Sequence, residues 1–143
     1  MFVLDTNVVS ELRRREKANR HVLAWADGIP AVNFFLSAIT VLELELGILL
    51  LARKNAANAA SLRTWLDQQI LPRFEGRILP VDTAVAQRCA RLHVPDTRAE
   101  RDALIAATAL VHGMTVVTRN ASDFESLGVA ILNPWLAPVG KNQ

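Results

Sequence analysis

The sequence contains a single cysteine, Cys89, among its 143 residues, which excludes an internal disulfide. Cys89 lies within the helical pattern AVAQRCARL, where a small buried hydrophobic residue is the expected role of a thiol. Long apolar runs are also missing. The most apolar one, residues 48–52, is far shorter than the roughly 20 residues that span a bilayer. No signal peptide is visible at the start of the chain. We therefore expect a cytoplasmic protein that does not enter a membrane.

A strong excess of either charge is absent as well. Lys and Arg number 16 and Asp and Glu number 14, so that the formal net charge is +2. Five of the basic residues crowd one stretch: Arg13, Arg14, Arg15, Lys17 and Arg20. Such a run is compatible with a strip that follows phosphates and with an ordinary solvated surface.

The length and composition fit one compact domain. The chain is 51% hydrophobic and falls in the range of about 100–200 residues typical of one domain. It contains no repeat, linker or low-complexity segment. Asn133-Pro134 and Pro138 end the regular pattern. We expect a single domain over residues 1–135 and a short C-terminal tail over residues 136–143.

Short apolar runs alternate with longer helical patterns along the chain. The runs predicted as buried strands are residues 2–4, 34–37, 77–81, 115–118 and 129–132. The helical patterns cover residues 6–14, 19–27, 38–54, 56–71, 83–93 and 102–112. Strands that alternate with helices predict an α/β fold with three layers, α/β/α, and a mostly parallel central sheet.

The helical pattern over residues 38–54 is apolar almost all the way round. Packing against one face of a sheet requires a narrower apolar stripe. Four leucines could contact a second protein surface: Leu42, Leu46, Leu49 and Leu50. Deep burial within the chain is the alternative to a homodimer or a bound partner.

Four acidic residues lie soon after predicted strands or near the starts of predicted helices. They are Asp5, Glu43, Asp102 and Asp123. In an open α/β sheet, ligands bind in the crevice at the carboxyl ends of the strands. We therefore expect these four acids, called the acidic quartet below, to point toward one edge of the sheet.

Each acid taken alone also has a purely structural explanation. Asp5 could cap the helix that follows it, and Thr40 and Glu43 have the spacing of a capping box. Asp102 could oppose the positive end of a helix dipole. Asp123 could be an ordinary turn residue. These explanations do not account for the clustering of all four acids at one edge.

Clustered carboxylates indicate a bound cation. Two carboxylates about 4 Å apart repel by roughly 4 kcal/mol at an effective dielectric constant near 20. A hard divalent ion such as Mg²⁺ prefers oxygen ligands and relieves that repulsion. Such a site activates water and stabilises the oxygens of a reacting phosphodiester. The three histidines are too scattered to suggest zinc: His21, His93 and His112.

Five segments of the sequence resemble a known family. LDTNVVSEL, TVLELELG, RDALIAATA, VVTRNASDF and a closing LNPW are similar to PIN-domain proteins, specifically to the VapC-type (FitB-like) toxins of bacterial toxin–antitoxin pairs. The resemblance runs in order from residue 2 to about residue 135. It implies a PIN-like fold and an endoribonuclease that depends on Mg²⁺ or Mn²⁺ and hydrolyses RNA with cation-activated water. It also implies a homodimer and a small antitoxin partner.

The resemblance assigns roles to individual residues. Asp5, Glu43, Asp102 and Asp123 match the family's acidic residues, with Asp5 and Asp102 as the main metal ligands. Thr6, Thr118 and Asn120 match flanking polar positions that would bond the carboxylates or a phosphate. Glu45 stays outside the quartet, because it lies about 200° around the helix from Glu43.

An acidic pocket repels RNA, so basic residues must surround it. The candidates for this rim are Arg13, Arg14, Arg15, Lys17, Arg20, Arg101 and Arg119. Arg101 and Arg119 are the better candidates because they adjoin segments of the quartet.

Two other functions compete with a ribonuclease. One is another Mg²⁺-dependent phosphohydrolase of α/β fold, such as a haloacid-dehalogenase-type phosphatase. That type also starts from an Asp at the end of the first strand, but it uses a second Asp two residues on, where this chain has Asn7. The other alternative is a module that binds RNA or an antitoxin and has lost catalysis. The intact quartet argues against it, because a mere binder of polyanions gains nothing from four acids.

Overall fold

A five-stranded, entirely parallel sheet forms the centre of the protein. The computed structural model describes residues 1–136. The strands are β1 (Phe2–Leu4), β2 (Phe34–Ser37), β3 (Ile78–Leu79), β4 (Thr115–Val117) and β5 (Ile131–Leu132). Their order in the sheet is β3-β2-β1-β4-β5, and every pairing is parallel. The α/β prediction with a mostly parallel sheet is confirmed. Residues 137–143 of the predicted tail lie outside the described part.

Within the described residues, seven α-helices connect the strands. They are α1 (Thr6–Glu11), α2 (Arg20–Asp27), α3 (Ala38–Ala52), α4 (Ala56–Trp65), α5 (Leu71–Arg73), α6 (Thr83–Leu92) and α7 (Glu100–His112). Short 3-10 helices occupy Arg15–Lys17, Ala31–Asn33, Ala121–Asp123 and Glu125–Leu127. The predicted helix over residues 6–14 ends at Glu11, and the one predicted from residue 102 begins at Glu100. Element ends are the least certain part of a sequence pattern.

The helix predicted over residues 56–71 has a wider turn within it. A π-helical segment, Leu66–Ile70, joins α4 to α5. Both Leu66 and Ile70 are buried in the core that includes Trp65 and Phe74. The wide turn thus keeps several large side chains of one segment on the same buried side.

The position of β1 determines where the functional residues meet. β1 lies between β2 and β4, with Phe2 opposite Phe34 on one side and Leu4 opposite Val117 on the other. The carboxyl ends of these central strands therefore lie side by side. The backbone continues this pairing one residue further, since Asp5 N–H donates to the carbonyl oxygen of Val117 at 2.9 Å.

Both faces of the sheet are covered by apolar side chains. Successive strand residues point to opposite faces, so Val3 joins the core that contains Ile105 and Phe124, whereas Leu4 joins the one that contains Leu36. Covering both faces is the reason that the strands read as continuous apolar runs. Cys89 is also buried, as its pattern predicts.

Helix α3 is only partly covered by the rest of the chain. Leu44 and Ile48 are buried, but the side chains of Leu42, Leu49 and Leu50 are 46%, 57% and 55% exposed. Deep burial of this whole helix within the chain is therefore wrong. α3 leaves an apolar strip at the surface, as a helix apolar all the way round must when only one side is packed.

Crossing a bilayer needs a long helix that is apolar throughout. None of the helices within residues 1–136 has both the length and the apolar character that this requires.

Replacing Leu36 with Ala tests the packing of the central sheet. Leu36 is fully buried, so the substitution leaves a cavity and should lower the free energy of unfolding by about 2–5 kcal/mol. Val32 is 67% exposed, and Val32→Ala should change it by less than about 0.5 kcal/mol. Urea denaturation of both variants measures the difference, and equal stabilities would contradict this account of the core.

Candidate active site

A polar cleft of about 550 Å³ opens at the carboxyl edge of the sheet. Three members of the quartet line it: Asp5, Glu43 and Asp102. Three of the predicted supporting residues line it as well: Thr6, Arg119 and Asn120. Asp5 follows β1 and Glu43 lies in the helix after β2, whereas Asp102 lies at the start of α7, and all three meet at the carboxyl edge of the parallel sheet.

Asp5 occupies the centre of this edge and is 7% exposed. The buried hydroxyl of Thr118 donates to Asp5 Oδ2 at 2.8 Å, and the backbone N–H of Thr6 donates to Oδ1 at 2.8 Å. Burial raises the pKa of Asp5, whereas the bonds from Thr118 and Thr6 lower it, and the net pKa is raised. Asp5 also caps α1, so the structural and chemical roles of this residue coexist.

Asn7 is a site residue that the sequence prediction missed. Its side-chain amide donates to Asp5 Oδ2 at 3.3 Å and to the Thr118 hydroxyl at 3.4 Å. Its Oδ1 accepts from the backbone N–H of Arg119 at 3.2 Å. Asn7 therefore ties the start of α1 to the segment after β4. Its position two residues beyond Asp5 was the available signal, but its other two partners, Thr118 and Arg119, lie more than a hundred residues away in sequence.

Glu43 approaches the cleft from the second turn of α3. The Thr6 hydroxyl donates to Glu43 Oε1 at 2.6 Å, and Arg101 lies 3.6 Å from Glu43 Oε2. The two carboxylate oxygens thus face different partners. Glu45 instead forms a two-pronged ion pair with Arg63 of α4, away from the quartet as its helical position predicts.

The capping-box explanation of Glu43 is wrong. Helix α3 begins after Ser37, whose hydroxyl accepts from the backbone N–H of Ile39 at 3.0 Å. Thr40 already lies inside the helix, fully buried, and its hydroxyl faces the carbonyl oxygen of Leu4 at 3.5 Å. The sequence had the right spacing for a cap, but the helix starts one turn earlier.

Asp102 experiences the charge of every other quartet member. It lies in the first turn of α7. Burial raises its pKa, and the nearby carboxylates of Asp5, Asp123 and Glu43 raise it further, to about 6. Asp123 does not line the cleft. It ends the 3-10 helix Ala121–Asp123 behind it, and its charge acts on both Asp5 and Asp102.

The chemistry of the quartet suits a hard divalent cation. All of its potential ligand atoms are carboxylate oxygens, the donors that Mg²⁺ and Mn²⁺ prefer. Within residues 1–136, no three of the four acids bring ligand oxygens within 4.8 Å of one another. Their mutual repulsion, visible in the raised pKa of Asp102, is the force that a cation would offset.

Another group of possible metal ligands lies elsewhere. Atoms of Cys89, His93 and Glu100 lie within 4.8 Å of one another. However, the backbone N–H of Arg98 donates to His93 Nδ1 at 3.0 Å, so a neutral ring carries its proton on Nε2, which faces the thiol at 3.7 Å. Burial raises the pKa of Cys89, and Glu100 raises it further. The His93 ring and the thiol thus face each other in a hydrogen-bond arrangement.

The basic rim is smaller than the sequence suggested. Arg119 lines the cleft and Arg101 pairs with Glu43. Arg15 instead pairs with Asp27 at 2.8 Å. Arg13 and Arg14 line a separate cleft of about 390 Å³. The chain turns away after α1, so the basic run of residues 13–20 does not supply lining residues to the acidic cleft.

Three further lining residues were also missed: Ser10, Glu11 and Trp135. Ser10 and Glu11 follow Asn7 by three and four residues, the spacing that puts side chains on one face of a helix. That spacing was the signal in the sequence. Trp135 comes from the closing LNPW segment.

Comparison with known proteins gives consistent likenesses. A family model described as PIN domain matches residues 2–129. The toxin FitB of Neisseria gonorrhoeae is 44% identical over 141 residues, which cover 94% of this chain and 99% of FitB. The VapC ribonuclease Y4jK of Sinorhizobium fredii is 41% identical over 140 residues, covering 94% and 98%. The crystal structure of FitAcB from Neisseria gonorrhoeae superposes with a TM-score of 0.85, at 44% identity and 94% and 99% coverage.

The raised pKa of Asp102 predicts how stability changes with pH. The folded protein holds this proton with a pKa of about 6, whereas the ordinary pKa of an Asp is 3.8. The folded state therefore binds more protons between these values, so the contribution of Asp102 to stability is fully present below pH 3.8 and is lost as the pH rises through 6. Asp102→Asn removes this loss and should stabilise the metal-free protein at pH 7 by about 1 kcal/mol, after allowance for solvent screening.

Urea denaturation in EDTA at several values between pH 4 and pH 7 measures this change. Asp96 is exposed in the loop before α7, and Asp96→Asn serves as the control. A marked destabilisation by Asp102→Asn would favour a purely structural role for this carboxylate.

Proposed function

The chain belongs to the PIN-domain family, and from this membership we propose that it is an endoribonuclease dependent on a divalent metal ion, acting as the toxin of a toxin–antitoxin pair. Similarity to a toxin and to a ribonuclease over nearly the whole of each chain supports the proposal. An RNA substrate would place its action in the cytoplasm.

The observation that carries the proposal is that three acids line one cleft and that the charge of the fourth, Asp123, reaches two of them. Asp102 has its pKa raised by burial and by each of the other three, so the charges are close enough to resist joint ionisation. Asp5 and Asp102 would hold Mg²⁺ or Mn²⁺, and Glu43 and Asp123 would complete the surroundings. The bound ion would lower the pKa of a water molecule and stabilise charge on the phosphodiester oxygens.

Residues around the quartet fix the carboxylates and offset charge. Thr118 and Thr6 hold the two oxygens of Asp5, and the Thr6 hydroxyl also orients Glu43. Residues that orient ligands in this way commonly affect metal affinity or activity by about 10–100-fold. Arg119 and Asn120 line the cleft, where a guanidinium and an amide would contact the phosphate backbone of RNA.

Asn7 argues against the alternative of a haloacid-dehalogenase-type phosphatase. The position two residues beyond Asp5 holds Asn7, and both ends of its amide are occupied by hydrogen bonds. Such an amide is a bridge between segments and cannot act as an acid on a leaving group. A phospho-aspartate intermediate is therefore not expected.

The proposed partners follow from the surface as well as from the family. The exposed strip of Leu42, Leu49 and Leu50 on α3 is a suitable surface for a homodimer or for the small antitoxin, because contiguous apolar patches commonly mark protein interfaces. A toxin carried by its own cell requires such a neutralising protein.

Cleavage of RNA tests the enzymatic proposal. The purified protein should cut single-stranded RNA with Mg²⁺ or Mn²⁺ and lose this activity in EDTA. Asp5→Asn should lower the rate by at least about 100-fold, since even residues behind metal ligands cost about 10–100-fold. Asp96→Asn, changed at an exposed acid outside the cleft, should cleave like the wild type. Cleavage that persists equally in Asp5→Asn would identify a contaminant and favour a binding module.

Expression in cells tests the toxin role. Induction of this chain alone should arrest growth. Co-expression of the small protein encoded next to it, the proposed antitoxin, should restore growth, because the bound antitoxin would block the cleft. Asp5→Asn should be harmless at the same level of protein. Normal growth of cells that contain the active wild-type ribonuclease would contradict the role as a toxin.

A further inference from the structure

Trp135 lies at the mouth of the acidic cleft and has no part in the chemistry assigned above. It lines the cleft together with Asp5 and Asp102. Its side chain is only partly buried, although it packs against the core on one side. The guanidinium of Arg119 lies over its ring, 5.4 Å from the ring centre.

The backbone around this aromatic ring is held firmly. Asn133 accepts a bond from the backbone N–H of Trp135 at 3.0 Å and donates to the carbonyl oxygen of Arg119 at 3.3 Å. The N–H of Arg119 is in turn bound by Asn7 at 3.2 Å. These bonds hold the backbones of Arg119 and Trp135 close to Asn7, whose side-chain amide also donates to Asp5.

We propose that Trp135 is a stacking site for an unpaired base of single-stranded RNA, next to the phosphate that enters the acidic cleft; this rests on the proposed ribonuclease function. The base takes the place of the Arg119 guanidinium on the indole ring, and Arg119 turns to the phosphate.

The energies of the two contacts favour this exchange. Stacking of a base on an aromatic side chain contributes about 1–3 kcal/mol, more than an exposed guanidinium gains over the same ring. The released guanidinium also gains a charged partner in the phosphate. Unpaired bases are required, because the bases of a duplex are already stacked on one another.

The other tryptophans do not offer the same contact. Trp65 is buried, with 8% of its surface exposed. Trp25 packs edge-on against Phe2, with ring centres 5.3 Å apart, and also contacts Phe34. Among the three, Trp135 alone lines the acidic cleft.

Two substitutions of similar size separate stacking from packing. Trp135→Phe keeps an aromatic face. Trp135→Leu keeps the apolar contact with the core but has no aromatic face. In metal-supported cleavage of single-stranded RNA, Trp135→Leu should raise KM by about 5–150-fold, the equivalent of the stacking energy above. Its kcat should stay within about threefold of the wild type, and Trp135→Phe should retain a KM close to that of the wild type. Thermal melting confirms that both variants fold.

Binding in EDTA supplies a readout that does not need cleavage. Fluorescence anisotropy measures the binding of labelled single-stranded RNAs that each lack one base, at a different position in each RNA. At one position the missing base should weaken binding to the wild type. The same missing base should cause no further loss of binding to Trp135→Leu. RNA should also quench the part of the intrinsic fluorescence that comes from Trp135, so this quenching should disappear in Trp135→Phe.

The outcomes distinguish the two proposals. If Trp135→Leu and Trp135→Phe are equally impaired, or both behave like the wild type while RNA is cleaved normally, the stacking site is wrong and the ribonuclease stands. If the wild type neither cleaves nor binds RNA, both proposals are wrong.

Discussion

Electrostatic repulsion among four carboxylates at one edge of the sheet is the constraint on which the arrangement of this molecule depends. Asp5 is almost fully buried, and Asp102 holds its proton up to a pKa of about 6. The acids stay together because the fold places them at the carboxyl edge of the parallel sheet, and because Thr118 and Thr6 donate hydrogen bonds to the Asp5 oxygens. The carboxylate cluster destabilises the folded state, and burial of the apolar layers on both faces of the sheet stabilises it enough to offset this cost.

Much of the fold follows from apolar patterns that are read locally. A buried parallel strand such as β1 consists of consecutive apolar residues. A chain in which such strands alternate with helices has few possible topologies besides a parallel sheet covered by helices. The π-helical Leu66–Ile70 was not predictable in this way. Its residues have the same composition as those of an α-helix, and the wider turn is selected by packing around Trp65 and Phe74. Local preference is a weak guide where tertiary contacts decide.

The prediction of the site succeeded where one general rule was enough. It failed for residues whose hydrogen-bond partners are distant in sequence. The rule that strand ends and helix starts meet at one edge predicted that Asp5 and Asp102 lie together, and both line the cleft. Glu43 had the spacing of a cap, but its actual partner is Thr6, 37 residues away. Arg13 adjoins a site helix in sequence, yet it bonds to Ser61 in another cleft. Such pairings depend on the closed chain, and a single sequence contains no local sign of them.

The π-helical turn has a consequence for how this chain tolerates changes in length. A π turn closes its hydrogen bond over five residues where an α turn uses four, so Leu66–Ile70 takes up one extra residue while the helical segments on either side keep nearly the same faces. Deleting one residue here would leave regular α winding, and Phe74, now 6% exposed within the core, would stay on the buried side. The segment is therefore a point at which this chain could lose one residue, whereas the same deletion inside α3 would rotate the rest of that helix by about 100°.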